Sequence, residues 1–519
     1  MSEMITAFIR NMSAGFFVRQ MIVITMLFLF GYFIVAASVR KKPGLYEVLL
    51  CFPAGLSAYS LISFVLLVTG IPFQTFSITL ICAVTGLVCL IILCRHSYWK
   101  YISVKRAVII TITLLFIVAI STSGIIPVSI SNDSLYYYHM YPNALVHNGG
   151  LRTQFNVFLT DVGQTSAIIN TLPFVYGFDE GFGIQSFLNI NTLIILVYAL
   201  YEQCRRRLDR GASAVAACLL AALLVCSMSY IVMSVWAMSN GYFMCFMFIC
   251  VYTAWRNGTT DVSEKNGESL MILGLIFANM SMLRMEGCIA SLILALCFST
   301  LKYSRKQLFA VFLLPVLILS VMYDIKIFLF MKIDAPYTFL TPVKALIQLA
   351  AIVAVSVYVL LIRDRLPDKI RKHMGLVTVA GLLLINMLLF IYNRSLYIEN
   401  VKAFISNISH QSGWGLFPML IIGIYVLSFI ATDKKTGYNT VYWDLCFIAY
   451  LLTAIAVSFA RDDALRESIA DSGNRVMLQV TLLAFFAAAM RMISLAGSGM
   501  TSDNDIIKIT TDQEENRNG

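Results

Sequence analysis

The chain has 519 residues, 59% hydrophobic and only 13% charged, with a net charge of +10 and a mean hydropathy of +0.81. Soluble proteins carry about 25% charged and about 45–50% apolar residues. These values exclude a soluble globular enzyme, a disulfide scaffold and a disordered chain, and apolar runs that are continuous rather than alternating exclude a membrane barrel.

Apolar stretches near twenty residues long read as transmembrane helices. Such spans are expected near 21–39, 47–70, 75–94, 107–128, 183–203, 212–233, 235–255, 269–283, 287–301, 307–330, 342–362, 374–392, 415–431, 441–459 and 476–495. The fold class that follows is an all-α polytopic membrane protein with about 13–15 transmembrane helices. It divides into N-terminal spans (1–128), an outer-face loop with interfacial helices (129–182), a helix bundle (183–495) and a disordered cytoplasmic tail (496–519). The run 21–39 is long for a signal-peptide core and three basic residues follow it, so it reads as a retained span.

Basic residues fall in alternate loops: Arg40 to Lys42, Arg95 to Arg106, Arg205 to Arg210, Lys302 to Lys306 and Arg363 to Lys372. Lysine and arginine favour the cytoplasmic side, and this placement puts roughly two-thirds of them there. The positive charge is thus explained by topology, without a nucleic-acid partner. The twelve cysteines form no CxxC pair and give no metal or redox motif.

The polar information lies on the other face. In 129–182, Asn132-Asp133-Ser134 are good helix N-caps. A short helix is expected to follow to about His147, stopped by Gly149-Gly150. Tyr136, Tyr137, Tyr138 and Tyr141 suit the headgroup level. The apolar piece 167–176 is too short to span and reads as interfacial or re-entrant. A carboxylate where Asp133 emerges can act as general base on a sugar hydroxyl; capping its own helix is the alternative role.

Arg284-Met285-Glu286-Gly287 interrupts an apolar stretch, and charge at that depth defaults to a functional hypothesis. Arg284 can hold a lipid phosphate through paired hydrogen bonds, or simply pair with Glu286. Asn240 sits in another outer turn. Arg394 opens a loop that contains His410, and Arg475 sits at the mouth of the last span. His139 is a candidate phosphate contact or acid. Asp179 and Glu180 are a possible second acidic pair.

The stretch Asn132-Asp133-Ser134-Leu135-Tyr136-Tyr137-Tyr138-His139-Met140-Tyr141-Pro142 resembles bacterial members of the GT-C superfamily of integral-membrane glycosyltransferases. An acidic residue opening an outer loop, an aromatic-His stretch and a later basic-x-Glu-Gly turn carry the resemblance. Two features depart from it: Asp133 follows about four spans rather than one, and Arg475 precedes Val476 rather than an aromatic residue.

The resemblance implies a polyprenyl-phosphate sugar donor and a glycan or lipid-linked acceptor outside the cytoplasm. It casts Asp133 as catalytic base. Developing charge on the leaving phosphate would fall to Arg284, Arg394, Arg475 and His139. Tyr138, Asp179, Glu180, Asn240, Glu286 and His410 would line the substrate. A single base and a single displacement imply inversion at the anomeric carbon. Metal dependence varies within the superfamily, so no cofactor is assigned and a divalent metal stays open. A transporter or lipid flippase, and an envelope polysaccharide polymerase or ligase, are the competing readings.

Overall fold

The computed structural model describes residues 14–39, 43–95, 136–152, 164–178, 183–227, 230–231, 234, 239–259, 268–284, 286–333, 340–409, 414, 417–431, 438–460 and 477–494. Among these residues the regular structure is helical throughout. The predicted span 107–128 lies outside them, as do Asp133, Asp179, Glu180, His410, Arg475 and the tail.

The first helices are α1 (Ala14–Val39), α2 (Leu45–Leu49), α3 (Cys51–Thr69) and α4 (Thr75–Arg95). A π-helical turn (Tyr136–Met140) then runs into α5 (Tyr141–His147), followed by α6 (Gln164–Ile169) and α7 (Thr171–Val175). The bundle continues through α8 (Gly183–Cys204), α9 (Arg210–Val225), α10 (Ser239–Thr259), α11 (Glu268–Met282) and α12 (Gly287–Phe298). It ends with α13 (Arg305–Phe330), α14 (Pro342–Arg365), α15 (Met374–Tyr392), α16 (Arg394–Ser409), α17 (Phe417–Ala431), α18 (Tyr438–Ala460) and α19 (Met477–Ser494).

Nine of the described helices are long and apolar enough to cross a membrane: α1, α3, α4, α8, α13, α14, α15, α18 and α19. Shorter apolar helices, α9, α11, α12 and α17, accompany them. The chain is therefore an all-α polytopic membrane protein.

Two helices set the framework. α1 and α3 pack at close range, because Gly31 and Gly55 let their backbones touch. A Cβ on Gly31 would stand 1.7 Å from the Cys51 carbonyl oxygen, and one on Gly55 1.9 Å from that of Leu27. Small residues at helix crossings are the usual means of tight packing in lipid, where apolar side chains alone give little preference for protein over tails. α10 is buried on nearly every face, the mark of a helix at the centre of a bundle. It packs on α8 and α11, and α11 packs in turn on α3 and α12. By contrast α4 exposes Phe76, Leu80, Val84, Leu87, Val88 and Ile91, as a lipid-facing helix does.

Hydrogen bonds gather the predicted alternate loops at two ends. At one end Arg256 pairs with Glu202 and Glu47, and Arg206 lies over Trp255. There also Arg363 donates to the carbonyls of Ser299 and Leu301, and Arg207 to that of Ser494. At the other end Phe73 N–H donates to Gly149 O at 2.9 Å, and Thr75 Oγ1 to Val175 O at 2.6 Å. We call these the basic end and the opposite end.

Candidate functional site

At the opposite end the helices break. α9 stops at Val225 and not, as its apolar run suggested, near 233. Gln185 and Asn189 of α8 both donate to the carbonyl of Ser234 in the chain beyond. Ser234 is itself helical, and the two amides satisfy a carbonyl beyond the break, since backbone polar groups at membrane depth need partners within the protein. α6 and α7 are buried in protein, not laid on its surface. Thr165 Oγ1 donates to Asn279 O at 3.2 Å, and the hydroxyls of Tyr59 and Thr171 meet at 2.7 Å.

The expected helix after Asn132-Asp133-Ser134 is present from Tyr136 to His147, and Gly149 closes it with a φ of +64°. Glycine takes that left-handed conformation without steric cost. The headgroup placement of its tyrosines needs correction at two positions. Tyr138 and Tyr141 are buried in protein, 3% and 2% exposed. The Tyr138 hydroxyl is drawn inward because it accepts from the Ser239 backbone N–H at 2.7 Å. Burial pushes this phenol above its ordinary pKa, against the lowering effects of Ser239 and of the Arg284 charge. The group therefore stays neutral.

The turn between α11 and α12 carries Arg284. Its guanidinium Nε donates to Glu286 Oε1, and Nη1 to Ser239 Oγ at 2.7 Å. Gly287 makes the turn possible: a Cβ there would meet the Ser281 carbonyl oxygen at 2.7 Å and that of Met280 at 2.9 Å. Glu286 also lies 3.5 Å from Gln479 Nε2 of α19. That amide donates to Asn240 Oδ1, and its oxygen accepts from the Tyr450 hydroxyl. Nearby, Tyr242 donates to Asn170 Oδ1 at 2.9 Å.

Four positions singled out in the sequence thus meet in one buried cluster: Tyr138, Asn240, Arg284 and Glu286. The Arg284 and Glu286 side chains are only 11% and 7% exposed. His139 lies at the edge, its ring 5.2 Å from that of Phe174. Arg394 lies elsewhere. It is exposed, with its guanidinium 5.8 Å from the Phe390 ring.

Sequence reasoning missed Gln479 and Tyr450. Both are uncharged and sit inside apolar runs, so neither interrupts hydropathy. It also missed the Asp444–Arg491 pair of α18 and α19, which Tyr425 and Ser428 complete. Here a signal existed: a carboxylate and a guanidinium each lay within a predicted span, which is costly without a partner.

Arg284 spends two of its nitrogens on Glu286 and Ser239, and Nη2 has no hydrogen-bond partner among the described residues. Among the described residues no three His, Cys, Asp or Glu side chains converge as a metal site would require.

No family model, curated protein or solved structure matches the chain. Class is therefore assigned from fold alone, as a multi-pass α-helical membrane protein. What it does rests on the site.

Proposed function

We propose that the protein is an integral-membrane glycosyltransferase. It moves a sugar from a polyprenyl-phosphate donor to an acceptor on the extracytoplasmic face. The observation that carries this reading is the Arg284 cluster. A guanidinium is held in place by Glu286 and Ser239 at a break in the helices, and its Nη2 has no hydrogen-bond partner among the described residues.

An anchored arginine suits a leaving phosphate. It is fixed before reaction, so it stabilises developing charge without reorganising. Asn240, Gln479 and Tyr450 supply neutral hydrogen bonds beside it, as sugar hydroxyls require. Asp133 precedes Tyr138 by five residues, so chain length keeps it within about 18 Å of that residue. In this reading Asp133 takes the proton from the acceptor hydroxyl as its oxygen attacks the anomeric carbon. The bond to the donor phosphate breaks, and the phosphate leaves toward Arg284. The anomeric centre inverts.

Breaks in helices at membrane depth also occur in transporters, and the broken α9 and the α11–α12 turn favour that as the second reading. Transfer assays separate the two. The full chain is reconstituted in lipid with a panel of polyprenyl-phosphate sugars and membrane-derived acceptors. Wild type is expected to consume a donor. Asp133→Asn is expected to lose turnover by about 10²-fold or more, the low end for a general base. Full turnover by Asp133→Asn overturns the role of Asp133, and failure to consume any donor overturns the transferase reading.

A further inference from the structure

A second polar seam lies apart from the Arg284 cluster, between α12, α13 and α14. Asp324 of α13 is at its centre. The residue is only 9% exposed, and its buried Oδ2 has no hydrogen-bond partner among the described residues. One turn below, Ser320 Oγ donates to Cys288 Sγ of α12 at 3.8 Å. Gln348 of α14 lies beside that thiol. Lys326, two residues on, does not neutralise the carboxyl: its ammonium lies beside Gly70. Immediately after Asp324 the helix widens into a π-helical segment, Ile325–Phe330, and such segments are frequent at functional sites.

A buried carboxyl without a partner is costly, and a ligand that hydrogen-bonds to it offsets that cost. Charge selects among ligands. A phosphate or carboxylate would be repelled. A hard cation such as calcium needs about six or more oxygens, which Ser320 and Gln348 do not supply, and among the described residues no three His, Cys, Asp or Glu side chains converge for a softer one. A neutral hydroxylated group fits better. Its O–H groups donate to Asp324, and its oxygens accept from the Gln348 amide. The seam lies six residues from the end of α13, within reach of a group at membrane-surface depth.

We propose that the Asp324 seam binds the neutral, sugar-type headgroup of a membrane amphiphile. The site stands whether or not the protein transfers a sugar.

The test uses the full chain purified in lauryldimethylamine oxide, which lacks hydroxyl groups. Native mass spectrometry follows binding of three probes: octyl β-glucoside, octyl phosphate and octyltrimethylammonium. The glucoside is expected to bind in preference to the others. Asp324→Leu is expected to weaken it roughly tenfold or more, the scale of one hydrogen bond to a carboxylate. Gln348→Leu, at a less buried position, is expected to weaken it several-fold, which guards against a folding defect in Asp324→Leu. Gly86→Ala, at an open position on α4, is expected to leave it unchanged.

Equal binding of all three probes overturns the proposal. So does preference for the ammonium or the phosphate, or glucoside binding by Asp324→Leu as tight as by wild type. Donor turnover by wild type and Asp133→Asn is read separately, so failure of either proposal is distinguishable from failure of the other.

Discussion

Replacing Arg284 separates its charge from its geometry. The side chain bonds Glu286 and Ser239 at once from two nitrogens of a rigid planar fork, whereas the donors of an ammonium all sit on one nitrogen at the end of a flexible stem. Arg284→Gln leaves Glu286 as a buried carboxylate without its counter-ion. Breaking one partner of a buried pair costs about 3–5 kcal/mol. Arg284→Lys keeps the charge and is expected to recover more than half of that loss. Thermal unfolding in detergent measures both, and equal destabilisation by the two variants would show that the fork, not the charge, holds the turn. Tyr138→Phe tests the other side of the cluster. It removes the acceptor of the buried Ser239 N–H and is expected to cost about 1–3 kcal/mol. A Tyr138→Phe protein as stable as wild type would mean that water or another group replaces the phenol.

Residues were legible to the degree that they broke a pattern. Arg284 and Glu286 stood out as charges within an apolar stretch, and Asn240 as a polar residue in a short turn. Tyr138 is expected from sequence at the headgroup level, and only the resemblance places it at the substrate, because sequence cannot tell a surface aromatic from a buried one with a partner. Gln479 was invisible: a neutral amide barely lowers hydropathy, and its partners Asn240 and Tyr450 are remote in sequence.

At the scale of elements, apolar run length located the helices, while their breaks came from tertiary contacts. The run 212–233 gave no sign that α9 stops at Val225, because the amides that satisfy the following backbone belong to α8. Close packing has a clearer signature. Gly31 and Gly55 bring α1 and α3 into backbone contact, so Gly55→Leu must push the helices apart. It is expected to lower the yield of folded protein and the melting temperature strongly, since the overlap is with backbone that cannot rotate away. Gly86 on α4 is the matched control. A Cβ there meets nothing within 4 Å. Gly86→Ala should be neutral or stabilising by about 0.5–1 kcal/mol, from the reduced freedom of the unfolded chain. Size-exclusion profiles and melting curves of the two variants test the pair together. Destabilisation by Gly86→Ala comparable to that by Gly55→Leu would show that α4 is not the lipid-facing helix its exposed side chains indicate.

The whole molecule is organised by which loops meet. Loops rich in lysine and arginine converge at one end, where Arg206, Arg207, Arg256, Arg305 and Arg363 all engage neighbouring helix ends. The Arg284 cluster forms at the other. Alternation of charge along the chain anticipated this division, because each crossing reverses direction and only loops of the same parity can touch. By the positive-inside tendency the basic end is expected to face the cytoplasm. In wild type, free cysteines occur along the helices, so reporters are compared with the parent chain as background. Lys302→Cys at the basic end and Asn393→Cys at the opposite end are placed in the full chain and exposed to a membrane-impermeant maleimide. In intact cells Asn393→Cys should gain label over the parent and Lys302→Cys should not; in inverted vesicles the pattern should reverse. Labelling of Lys302→Cys from outside would turn the molecule over. The Arg284 cluster would then face the cytoplasm, and an acceptor beyond the membrane would be out of its reach, so orientation and proposed chemistry stand on the same measurement.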